Sequence, residues 1–185
     1  MRAIIFAAAL AAMGIPALNT PAQGADTGKA DTRAPALDKA DAKFLNDAAA
    51  GNLFEVTLGQ MAVKQASNDE VKKFGQRMVD DHSKLNDQTQ KVAQLKSVAL
   101  PHELGKQQKT EVDKFAKLSG VAFDKAYMQH MVDEHEKDVK EFKARATEAS
   151  DPDVKRLAAT TLPTLEEHLR LAKDIDSRIT QPKKP

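Results

Sequence analysis

No cysteine occurs in the 185-residue chain. Disulfides, thiolate metal sites and a lipid-modified N-terminal cysteine are thereby excluded. Tryptophan is missing too, tyrosine occurs once, and aromatics make up 4% of the residues while charged side chains reach 30%. A β-sandwich would want more aromatic and β-branched residues, so this balance favours long helices with charged surfaces. Neither sign of charge dominates, with 28 basic against 27 acidic residues. Nothing points to nucleic acid, whose partners concentrate Lys and Arg on one face. Gly-rich phosphate loops and Ser/His/Asp constellations are also missing. No catalytic residue is assigned, and an enzymatic role ranks behind binding or structural ones.

Long apolar stretches are scarce, and the one present stands at the start. Met1-Arg2 precedes an unbroken apolar run from Ala3 to Met13, which Gly14 and Pro16 end. Ala22-Gln23-Gly24 then offers the small residues that a signal peptidase reads. The run is shorter than the roughly 20 residues of a membrane span. Residues 1–24 are therefore expected to be a signal peptide, directing the chain to the periplasm and leaving no transmembrane segment in the mature protein. An uncleaved anchor is the competing reading.

Residues 25–40, small and polar with Pro and Gly, read as a disordered linker. From there the hydrophobic period is helical, and residues 41–180 are expected to form an all-α bundle, with 181–185 as a tail. Phe44, Ala48, Gly51, Phe54, Leu58, Met61 and Ala62 share one stripe; Ser67-Asn68-Asp69 breaks it with N-cap chemistry. Val71, Phe74, Met78, Leu85 and Val92 line a second helix, ending near Val98. Leu100-Pro101-His102 interrupts, and a short helix runs from about Gly105 to Leu118. A long one follows from about Val121 to Ala149. Ser150-Asp151-Pro152 starts the last, whose Pro163 removes a backbone bond and predicts a kink. Four long helices and one short one make a bundle. Helix two also shares a Met-Val-Asp-acid-His string with the fourth helix, at Met78–His82 and Met131–His135.

Facing follows from the turn of about 100° per residue. His135 lies about 20° from Met128, within the apolar stripe, and His82 about 40° from Met78. His168 and Glu55 fall about 60° from Leu165 and Leu58, at the edges of their stripes. His130 faces outward, and His102 is a loop residue. Each long helix thus brings one ligand-capable side chain towards the core near its middle. Burying such groups is costly unless they are paired. One explanation is a single transition-metal ion (Zn, Cu, Ni or Fe) held by Glu55, His82, His135 and His168, with Asp81 as an accessory acid. A hydrogen-bonded layer that fixes helix register without an ion is another. Histidines reaching solvent at the stripe edges are a third. Met61, Met78, Met128 and Met131 read as core filling rather than copper ligands. The Glu-x-x-His pattern of di-iron bundles does not occur, since Val79, Val132 and Leu165 stand three residues before the histidines.

Four stretches carry a family resemblance: FLNDAAAGNLFEVTLGQMA from Phe44 to Ala62, VKKFGQRMVDDH from Val71 to His82, Phe123 to His135, and Leu162-Pro163-x-Leu165-x-x-His168-Leu169. Together they span nearly all of residues 40–175, and they resemble the domain-of-unknown-function 4142 family. The resemblance implies a ferritin-like four-helix bundle with an additional short helix behind a signal peptide, in an exported or outer-membrane setting. It implies no activity. An outer-membrane barrel is not supported, because no alternating strand pattern is present. Two functions stay open: a metal-binding periplasmic bundle, or a non-catalytic envelope or stress-related protein that acts through an unidentified envelope partner without metal.

Overall fold

The computed structural model describes residues 37–181. The expected signal peptide, most of the linker and the tail beyond Gln181 lie outside the described residues. Among those described, the chain forms α1 (Lys39–Gln65), α2 (Asp69–Leu95), α3 (Lys106–Phe115), α4 (Gly120–Glu148) and α5 (Pro152–Thr180).

Short polar side chains set the starts of three of the long helices. Asp38 accepts from the Asp41 amide, Asn68 from Glu70, and Asp151 from Asp153 and Val154, satisfying N–H groups that have no partner within the helix. Pro152 takes the first turn of α5, where its missing N–H costs nothing. α2 ends in a left-handed residue, Ser97 at φ 55°, and Val98 N–H returns to the Ala93 carbonyl at 2.9 Å. α5 runs unbroken through Pro163.

Two buried aspartates dictate how the helices run. Asp41, in the first turn of α1, accepts from the Asp151 amide at 2.8 Å, in the turn between α4 and α5. Asp124, at the start of the second turn of α4, accepts from the Ser67 and Asn68 amides at 3.0 Å each, in the turn between α1 and α2. The start of α1 therefore lies beside the end of α4, and the start of α4 beside the end of α1. Lys96 at the foot of α2 reaches Asp151 and Asp153, both at 2.7 Å. The order is up, down, down, up, which parallel α2 and α4 permit only with a connection running the length of the bundle. Residues 96–119, carrying α3, are that crossover, as in ferritin-like bundles.

The hairpins α1–α2 and α4–α5 are a structural duplication. Asp41, Ala66-Ser67-Asn68 and Val71-Lys72 correspond, at constant offset, to Asp124, Ala149-Ser150-Asp151 and Val154-Lys155. The Met-Val-Asp-acid-His echo of α2 and α4 joins a different pair of helices. Its counterpart in space is an exposed bond repeated within each helix, Gln76 to Asp80 at 2.9 Å and Gln129 to Asp133 at 3.0 Å.

The core divides into two apolar clusters. One gathers Phe54, Leu58, Phe74, Met78, Tyr127, Met128, Met131 and Ile175; the other gathers Phe44, Leu45, Ala93, Val154, Leu157 and Ala158. Each full burial of a Leu, Phe or Met side chain stabilises the fold by about 1.5–3 kcal/mol. Between the clusters lies a polar waist. No helix among the described residues is long and apolar enough to cross a membrane.

Candidate metal centre

At the waist each long helix turns one polar side chain inward. Glu55 comes from α1, His82 from α2, His135 from α4 and His168 from α5, and none is more than 2% exposed. Facing angles placed Glu55, His82 and His168 towards the borders of their stripes, and solvent contact for His82 and His168 was one of the expected outcomes. All four are buried instead, because close-packed neighbouring helices cover the flanks of each stripe as well as its centre.

The four groups converge. Glu55 Oε2 lies 3.2 Å from His82 Nε2 and 3.6 Å from His135 Nε2. His135 Nε2 lies 3.3 Å from His168 Nδ1. The three imidazoles each offer one nitrogen within 4.8 Å of the others, so the trio could hold a metal ion.

The outward side of each ring decides what the inward side can do. His82 Nδ1 meets Asn52 Oδ1 at 2.9 Å, His135 Nδ1 meets the Met131 carbonyl at 2.9 Å, and His168 Nε2 meets Asp81 Oδ2 at 3.0 Å. All three partners are acceptors, so each ring spends its N–H outward and turns a lone pair inward. Burial holds all three histidines below their usual pKa, His82 well below and His168 at about 4 despite the opposing pull of Asp81. They are neutral at physiological pH. The contact between His135 and His168 then has no proton to share. Turning the His168 proton inward would set its Nε2 lone pair against the Asp81 carboxylate. Hydrogen bonds from His168 and Arg77 outweigh the effect of burial on Asp81 and keep it ionised. Arg77 at 3.3 Å and Lys84 at 3.5 Å hold Asp81 from outside.

Three nitrogen lone pairs and the Glu55 carboxyl group therefore face one another. Burial, with a smaller push from Glu134, raises Glu55 to about 8. A protonated Glu55 could donate to only one of the three nitrogens. Without a proton on Glu55, Glu55 Oε2 and His82 Nε2, 3.2 Å apart, have no hydrogen-bond partner. A cation answers this arrangement, and three imidazole nitrogens with one carboxylate oxygen match the donor set of first-row divalent ions. Asp81 stands on the far side of the His168 ring, where it orients the imidazole rather than joining the cluster.

Asn52 and Asp138 escaped the sequence reading. The duplication exposes both, since Asn52 occupies on α1 the position of His135 on α4, and Asp138 that of Glu55. Asp138 is half-buried and pushed up to about 7, first by burial and then by Glu55. His130, read as a surface residue, is half-buried, with ring centroids 5.5 Å from Phe54 and 5.3 Å from Phe115. The correction has a simple cause. Facing on a lone helix ignores the crossover, and α3 lies over this flank, anchored by Phe115 and by Gln108 Nε2 on the Ala50 carbonyl at 2.9 Å.

Residues 26–175 match the family model described as Domain of unknown function (DUF4142). Two crystal structures share the fold. A candidate secreted protein DUF305 from Streptomyces coelicolor has a TM-score of 0.63 at 19% identity, covering 79% of this chain and 97% of its own. A DUF305 fragment from Deinococcus radiodurans has a TM-score of 0.68 at 13% identity, covering 78% and 99%. Among curated proteins no match is found.

Proposed function

Because the chain belongs to the DUF4142 family, whose name carries no activity, we propose on chemical grounds that it is an exported ferritin-like bundle binding one first-row transition-metal ion in its waist. The ligands are Glu55 Oε2, His82 Nε2, His135 Nε2 and His168 Nδ1. Asp81, Asn52 and the Met131 carbonyl orient the three rings. Zn, Cu, Ni and Fe all accept this mixture of nitrogen and oxygen donors. The basic-then-apolar leader supports export to the periplasm, and the likeness to a protein described as secreted agrees with it. With all four donors inside the protein, storage or buffering of the ion suits the site better than catalysis.

One observation carries this reading: each of the three waist histidines has its N–H committed outward, leaving a ring of inward lone pairs that a single proton on Glu55 cannot satisfy. The test is elemental analysis of the untagged mature chain from its native compartment, then after reloading with each metal. About one ion per chain is expected, and His135→Ala should abolish stoichiometric binding. Stoichiometry near zero for Zn, Cu, Ni and Fe after reloading sinks the idea.

The raised Glu55 favours a second reading, in which a proton shared with His82 holds a metal-free layer that sets helix register in an envelope or stress-related protein acting through a partner. Replacing all four groups together by apolar residues would then keep or raise stability.

A further inference from the structure

Four buried donors are out of reach of solution, so an ion needs a way in. Beside the waist a cavity of about 40 Å³ lies between α1 and α4. Asp47 and Glu141, both exposed, stand at its outer edge; Asn52 and His82, both buried, form its inner wall, and Asp138 lies between. Room for about three waters follows from roughly 10–15 Å³ each. Larger surface hollows lie elsewhere, but each carries Lys or Arg and none reaches a residue of the waist. This cavity has no Lys or Arg in its lining, and its inner wall includes His82, whose Nε2 faces Glu55 Oε2 at 3.2 Å in the histidine layer.

The duplication explains why a space exists there. Exchanging the hairpins carries Glu55, His82, His135 and His168 onto Asp138, Leu165, Asn52 and Leu85, and all four of those line the cavity. The cavity is the histidine layer's own counterpart, with the donors thinned to one carboxyl and one amide. Gly51 completes the opening, because a Cβ built there meets nothing within 4 Å.

We propose that this cavity is the passage by which a hydrated divalent cation reaches the histidine layer. Asp47 and Glu141 draw the ion to the mouth, Asp138 replaces part of its lost water, and His82 is the first ligand it meets. The proposal rests on the metal reading above and adds to it the side of approach and the residues that govern the rate.

Gly51 makes the test clean. The Cβ of a leucine there meets nothing within 4 Å, the change improves helix propensity, and the longer side chain narrows the mouth at a position that supplies no ligand. Metal-free mature protein is mixed rapidly with cobalt(II), and the visible absorption of the bound ion is followed. Gly51→Leu should slow association on the order of tenfold or more, with Gly51→Ala between it and wild type. Dissociation should slow equally, leaving affinity unchanged. Glu141→Gln should slow association about two- to fivefold at low salt, an effect that disappears at high salt. Loading of Gly51→Leu at the wild-type rate overturns the passage while leaving the metal site standing. Should Gly51→Leu fail to fold, a wild-type rate for Glu141→Gln at low salt overturns it as well. The same rates are read with whichever of cobalt, zinc, copper, nickel and iron the wild type binds; if it takes up none of them, the metal reading itself fails, and the passage with it.

Discussion

At their ends the α1–α2 and α4–α5 hairpins are alike, and at the waist they differ. Each begins with a buried aspartate that grips the turn of the other, Asp41 on Asp151 and Asp124 on Ser67-Asn68. Each turn carries the same Ala-Ser pair followed by a capping Asn or Asp. Yet equivalent waist positions hold Glu55 against Asp138, Asn52 against His135, His82 against Leu165 and Leu85 against His168. The ends have to match because each hairpin is the other's clamp. Nothing in the clamp requires four polar groups halfway along, so their presence calls for a reason other than folding. The hairpins also differ inside. α1 and α2 approach so closely that a Cβ on Gly75 would sit 2.6 Å from the Ala62 Cβ and 2.9 Å from the Gly59 carbonyl. The matching position in the second hairpin is Ala158.

The sharpest way to test the waist contrast is pH. In metal-free protein Glu55 is raised from 4.5 to about 8. The folded state keeps a proton that the unfolded chain has released, so stability present below pH 4.5 is lost as pH climbs towards 8. The loss reaches up to about 1.4 kcal/mol per unit. Glu55→Gln escapes it. Urea titrations from pH 5 to 8 should show the variant gaining on wild type by several kcal/mol (order of magnitude). Asp138→Asn should show a weaker version between 3.8 and about 7, since Asp138 is half-buried. Parallel curves for Glu55→Gln and wild type would remove Glu55 from the buried layer.

The clamps come next. Asp124→Ala strands two backbone amides and the Ser67 hydroxyl, and should cost about 3 kcal/mol. Asp41→Ala strands the Asp151 amide, the one hydrogen bond Asp41 accepts, and leaves Arg145, 3.6 Å away, to Glu148, so it should cost about half as much. Equal losses in urea unfolding would break the view that the two ends share one device with unequal loads. The smallest effect, that of Ala158→Gly, is expected inside the hairpins. Gly75→Ala should cost about 1–3 kcal/mol by overpacking, whereas Ala158→Gly should cost no more than about 1 kcal/mol through lost helix propensity. A harmless Gly75→Ala in a thermal melt would show that α1 and α2 can part without penalty.

Much of this was legible before any coordinates. Helical period and cap residues gave five helices in order; a rotation of about 100° per residue turned Glu55, His82, His135 and His168 towards the core, and their places near mid-helix put them at a common level. Depth was harder to read. Stripe-edge positions such as Glu55 and His168 become interior when adjacent helices close over them, and that depends on partners absent from any single-helix projection. His130 misled for the same reason, through the cover of α3. The duplication was present in Ala66-Ser67-Asn68 and Ala149-Ser150-Asp151 all along. It was hidden because turns repeat quietly, whereas amphipathic faces such as those of α2 and α4 echo one another whatever their ancestry. Asn52 and Asp138 followed only once the right helices had been paired.

Glu55 and His82 belong to one hairpin, His135 and His168 to the other, so neither half of the protein owns a complete set of donors. A metal held among them would act as a clasp across the seam. At a thousandfold excess over its dissociation constant it would tighten that seam by about 4 kcal/mol, and it could not leave intact halves behind if the seam were prised apart. Without a disulfide anywhere in the chain, the bundle would then owe part of its toughness to whatever the surrounding fluid supplies.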